Sequence, residues 1–107
     1  MKDVSELYAD FRARFPEIVE LNEALGRFIH EKAGPLDEKT RALIKLGVTA
    51  ASHHQTAVGT QIARAREAGA TEDEILHALL LVVPTCGFPT FMEAYREYRS
   101  ETDRGRA

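Results

Sequence analysis

The chain carries a single cysteine, Cys86, and no tryptophan in 107 residues. One thiol excludes an intrachain disulfide, a Cys-x-x-Cys redox pair and a cysteine zinc site. It fits a reducing compartment, so a cytoplasmic location is expected. Long apolar runs are also missing. The longest, Ala78 to Pro84, is well short of the roughly 20 residues that span a bilayer, and no membrane partner is expected. Met1-Lys2-Asp3 leads directly into polar, periodic sequence without the apolar stretch of a secretory leader. Basic charge is not in excess: 14 Lys and Arg stand against 17 Asp and Glu, a net −3. No face gathers the cations that nucleic acid requires. Two-residue alternation of apolar and polar positions is absent too, which argues against strands.

What is present is helical periodicity from end to end, and a hydrophobic fraction of 44% that is ordinary for a globular domain. The length fits one domain, residues 1–107, of an all-α bundle of about six helices. Asp3 with Glu6 starts a helix that reaches about Phe15, before Pro16. A second, from about Glu17 to Lys32, places Ile18, Leu21, Leu25, Phe28 and Ile29 on one stripe, and Gly34-Pro35 stops it. Asp37 is the N-cap of a third helix carrying Leu43, Ile44, Gly47, Val48 and Ala51. Around Ser52-His53-His54 the chain either continues or jogs into a fourth helix, ending near Ala68 with Gly69 as its left-handed C′ residue. Thr71 and Glu74 form a capping box for a fifth helix, Glu72 to Val83, ended by Pro84. Beyond Ile75 that helix is apolar nearly all round. So small a domain cannot wall it on every side, and self-association supplies the missing wall. Thr90 with Glu93 caps a last helix to about Ser100, followed by a polar tail expected to fray.

Several of these segments, taken together, resemble the carboxymuconolactone decarboxylase family, which includes the alkylhydroperoxidase D-like proteins. The matching stretches are Leu36-Asp37-Glu38-Lys39-Thr40, Leu43-Ile44, Ala68-Gly69-Ala70-Thr71-Glu72-Asp73-Glu74-Ile75, and Gly87-x-Pro89 with Glu93-Ala94, spanning about residues 36–98. The resemblance implies an all-helical subunit that forms trimers or hexamers. Its peroxidase branch resembles a glutamate on the third helix followed by Cys-x-x-Cys-x-x-x-His. Counted back from Gly69, those four positions fall on Ala42, His54, Ala57 and Gln61. An alanine and a histidine cannot form and resolve a sulfenic acid, so the two-cysteine peroxidase relay is lost. The decarboxylase branch resembles a histidine carrier at Gln61, and that group has changed as well.

The remaining candidates for chemistry are His54, His53 and Gln61 as catalytic residues, with Thr60, Phe88 and Cys86 lining a substrate site. Histidine titrates near neutrality and serves as general base or donor; the alternative is a solvated or core imidazole. Gln61 lies two turns beyond His54, about 10 Å by helical rise, and orients a small ligand between them. Equally, Thr60 and Gln61 are ordinary surface or interface polar residues. Cys86 is either a one-cysteine peroxidase nucleophile or, the favoured reading, a small buried apolar residue. Phe88 and Phe91 are core or pocket wall. No metal and no cofactor is expected: His53 and His54 are adjacent and diverge by about 100° on a helix, and no second His-bearing motif completes a bundle site. The expected partners are therefore a small-molecule ligand and further copies of the chain. By analogy with the family the reaction is a lyase or decarboxylase step on a lactone or aromatic breakdown product. A non-catalytic binding homologue and residual thiol peroxidase activity through Cys86 are the alternatives.

Overall fold

The computed structural model describes residues 3–106, apart from the side chains of Gln55 and residues 104–106. All of its regular structure is helical: α1 (Val4–Arg14), α2 (Pro16–Lys32), α3 (Glu38–Ala51), α4 (Gln55–Glu67), α5 (Glu72–Leu80), the one-turn α6 (Val83–Cys86) and α7 (Phe88–Arg106). The chain divides into two compact units, Met1–Pro35 and Leu36–Ala107. No helix among the described residues is long and apolar enough to cross a membrane.

The first unit is the pair α1 and α2. Asp3 caps α1, its carboxylate accepting from the Glu6 N–H at 2.8 Å. Pro16 opens α2, where a missing N–H costs nothing. The pair is tied by Glu23, which accepts from the Tyr8 hydroxyl at 2.8 Å and from Arg12 at 2.9 Å. The apolar stripe of α2 does not face inward: Ile18, Leu21, Leu25, Phe28 and Ile29 are all more than half exposed, and only Val19 is buried.

The second unit holds the main core. Asp37 caps α3 through the Thr40 N–H at 2.8 Å. Helix α4 packs against both α3 and α7, and α5 against α3. Leu46, Val58, Ile62, Ile75 and Leu79 are fully buried between them, with Phe91, Ala94 and Tyr98 from α7. Each such aliphatic side chain contributes about 1.5–3 kcal/mol by leaving water.

Helix α4 ends in a Schellman motif. Ala70 N–H reaches Ala65 C=O and Gly69 N–H reaches Arg66 C=O, both at 3.0 Å, with Gly69 at φ 95°. The capping box then starts α5: Glu74 N–H donates to the Thr71 hydroxyl at 3.1 Å, and Thr71 N–H to the Glu74 carboxylate at 2.8 Å.

Three sequence expectations need correction. Helix α5 stops at Leu80 rather than Val83, and Pro84 starts α6 instead of ending α5, because proline fits the first turn of a helix. Helix α7 begins at Phe88, directly after Gly87 at φ 100°, so Thr90 is inside the first turn and its hydroxyl donates back to Cys86 C=O at 3.5 Å. The polar tail is helical as far as Arg106, and Thr102 within it accepts from Arg66 at 3.0 Å. Ala107 lies outside the described residues.

Candidate functional site

The break between α3 and α4 is where the expected catalytic residues meet the rest of the fold. Helix α3 ends as α4 does. His54 N–H reaches Thr49 C=O and His53 N–H reaches Ala50 C=O, each at 3.3 Å. That is again the Schellman pattern, with His53 in the place Gly69 takes at the end of α4. His53 accordingly has φ 60°, and it is the one non-glycine residue with positive φ among those described. A side chain there costs about 1–2 kcal/mol relative to glycine, because Cβ crowds the following carbonyl. Such strain concentrates where function requires a particular side chain.

The imidazole at this strained position is oriented. Its Nδ1 lies 3.0 Å from Glu93 Oε2 on α7, across 40 residues of sequence. With the carboxylate accepting from Nδ1–H, Nε2 is the ring nitrogen left to exchange a proton with a ligand. Both side chains are about half exposed, which leaves the pair open to a small molecule.

The other predicted residues are spread around this point. His54 is the N-cap residue of α4, exposed, and makes no side-chain cap bond. Gln61 lies on the same helix, and its Oε1 is buried without a hydrogen-bond partner. Thr60 is directed elsewhere: with Thr56, Gly59, Ala63, Glu97 and Glu101 it lines a cleft of about 290 Å³ between α4 and α7. Cys86 ends α6 and is exposed, so its expected role as buried apolar filler is overturned: the end of this one-turn helix leaves the thiol facing solvent. Phe88 is 58% exposed, and its ring centroid lies 5.9 Å from that of the buried Phe91 with the two rings tilted by 36°. Among the described residues no group of three or more His, Cys, Asp or Glu is arranged to hold a metal ion.

Glu93 was missed as a site residue from the sequence, where it reads as part of a helix cap. Its distance along the chain from His53 hides the pairing.

A family model, the carboxymuconolactone decarboxylase family, matches residues 16–99. The chain belongs to this family. A curated relative, an uncharacterized protein of Methanocaldococcus jannaschii, is 34% identical over 97 residues, covering 90% of this chain and 86% of that protein. Within the family this member has alanine at positions 42 and 57 and glutamine at 61, while its one strained, carboxylate-bound histidine is at the α3–α4 turn.

Proposed function

We propose that this protein is a small-molecule lyase of the decarboxylase type, acting on a lactone or aromatic breakdown product, with His53 as its acid–base group and Glu93 as the residue that positions it. The observation that carries this reading is the imidazole kept at a left-handed C′ position and held by a carboxylate at 3.0 Å. A general acid–base group needs a fixed tautomer and an accessible second nitrogen, and this arrangement provides both. In a decarboxylation the electron pair of the breaking C–COO⁻ bond stays on carbon, spread onto a conjugated lactone carbonyl. A proton from Nε2–H then quenches it as carbon dioxide leaves. Glu93 stabilises the imidazolium that donates this proton. His54 and Gln61 flank the reacting molecule as hydrogen-bonding residues. The reaction class rests on family analogy.

The same reading takes the active form as a homo-oligomer. Ile44 and Val48 on α3, with Leu80 and Leu81 at the end of α5, are 47–60% exposed, beside an apolar groove of about 400 Å³. A second copy is the occupant that fits the excess of apolar surface on so short a chain.

The test is a decarboxylation assay on carboxymuconolactone and related lactone acids. His53→Gln should lower kcat at least about a hundredfold, the usual scale of acid–base catalysis. Glu93→Gln should fall between that and wild type. Full activity in His53→Gln would refute the assignment.

A second reading, a ligand-binding homologue without turnover, is favoured by the exposure of His54 and by alanine at positions 42 and 57. It predicts saturable binding of the same acids with no product.

A further inference from the structure

The pair α1 and α2 has almost no interior of its own. Val19 is the one buried side chain between residues 3 and 35. A unit of fewer than about 40 residues is usually held by disulfides, by metal or by association. The single cysteine lies outside it, and no metal-holding group forms among the described residues. Association is what remains.

Helical geometry shows which face is left for it. Val19 and Glu23, one turn apart, mark the side of α2 that meets α1, since Glu23 holds Tyr8 and Arg12. At about 100° per residue, Leu21, Leu25 and Phe28 fall on the opposite side, flanked by Ile18 and Ile29. All five are more than half exposed. Next to Leu21 the same helix carries a hollow of about 520 Å³, lined by Glu17, Glu20, Leu21, Ala24 and Arg27.

The charges of this face divide at Ala24. Glu17 and Glu20 precede it, and Arg27 and Lys32 follow it. Glu17, Glu20 and Arg27 take part in no ion pair among the described residues. Turned end for end about Ala24, the face complements itself. Glu20 comes level with Arg27 of the other copy, Glu17 with Lys32 and Leu21 with Phe28, each to within one residue, about 1.5 Å of rise. Glu31 is the exception, falling level with Glu17. A parallel pairing would instead set every charge against its own kind.

We propose that the exposed face of α2 pairs antiparallel with the same face of a second copy of this chain, about a two-fold axis at Ala24. The contact is self-complementary, as a two-fold interface requires. A small side chain at the axis lets the helices approach closely. The inference rests on the homo-oligomer reading above and names a contact within that assembly. A standard interface takes roughly 20–30 residues from each partner. The face of α2 supplies far fewer, so it adds to the α3–α5 contact and does not hold two copies together alone.

The experiment is disulfide trapping in the full chain. Cys86→Ser removes the native thiol, and Ala24→Cys or Glu31→Cys is added to it. In an antiparallel pair centred on Ala24 the two residues 24 adjoin, while the two residues 31 stand about 21 Å apart along the axes, beyond the reach of a disulfide. Mild oxidation should convert Ala24→Cys to covalent dimer and leave Glu31→Cys single. Charge exchange is the second arm. Glu20→Arg and Arg27→Glu should each weaken self-association at least about tenfold by like-charge contact, and the double variant should recover most of the loss. The substituted positions on α2 are all exposed, so helical circular dichroism should not change. A protein that associates but forms no cross-link at 24 would overturn the α2 pairing and leave the homo-oligomer reading standing. Equal cross-linking at 24 and 31, or a double variant no better than the single ones, would also overturn the pairing. A single-chain mass at micromolar concentration would overturn both.

Discussion

Arg66 near the end of α4 grips Glu72 at the start of α5 with two hydrogen bonds, 2.7 Å from Nη2 and 3.0 Å from Nε. The same carboxylate accepts from the Tyr98 hydroxyl on α7 at 2.8 Å, and the guanidinium lies 5.8 Å from the Tyr98 ring centroid. One acid thus ties three helices together. These partners, Arg66 foremost, hold the Glu72 carboxyl below the usual range. A depressed folded pKa contributes stability that is present above the unfolded value of about 4.3 and is lost as pH falls through the folded value. Glu72→Gln should therefore lower stability by on the order of 1 kcal/mol at pH 7. It should also flatten the fall of Tm below about pH 4.3. Melting curves of the two proteins from pH 3 to 7 check this; parallel curves would assign the acid sensitivity to other carboxylates.

His53 sets stability against activity at one position. Glycine is the residue its backbone prefers, as Gly69 shows at the end of the neighbouring helix. His53→Gly should raise stability by about 1 kcal/mol while abolishing turnover. His53→Ala keeps the Cβ and should lose activity with no such gain. Denaturant titration with a parallel activity assay separates the two effects. A glycine variant no more stable than the alanine one would remove the argument that this histidine is retained against a folding cost.

Local chemistry made much of the fold legible in the sequence. Asp3, Asp37 and the Thr71–Glu74 box cap helices as their side chains dictate, and Gly69 takes the left-handed position after α4. These features act over three or four residues, so the chain order alone exposes them. Pro84 misled because proline both ends and begins helices, and only the path of the chain decides which. The candidate site was half legible. His53 and His54 stood out by type, but the pairing of His53 with Glu93 depends on how α7 crosses the α3–α4 turn. The apolar stripe of α2 was legible as a stripe but its exposure was not, since periodicity shows that a face exists without naming what covers it.

The capping box is a second local feature with a measurable contribution. Thr71→Ala removes the hydroxyl that accepts from the Glu74 N–H at 3.1 Å. It should cost about 1 kcal/mol, whereas Thr71→Ser should cost a few tenths. Urea unfolding of both variants tests this. Equal losses would show that the methyl group, not the hydrogen bond, matters here.

The core and the apolar surface predict opposite responses to substitution. Ile62 is fully buried where α4 meets its neighbours, so Ile62→Ala should cost about 2–5 kcal/mol through lost contacts and a cavity. Val48 is 60% exposed on α3, beside the groove it forms with Leu43, Ile44, Gly47 and Leu81. In an isolated protomer Val48→Asp would replace an exposed apolar group with a solvated charge at little expense. Within a self-associated form it would leave an unpaired carboxylate in an apolar contact, a cost of several kcal/mol for each copy. Light scattering should therefore find wild type at a multiple of 11.9 kDa and Val48→Asp at the single-chain mass, with its helical circular dichroism intact. A wild-type protein that is already a single chain at micromolar concentration would withdraw the interface and leave the α3–α5 groove to a small ligand.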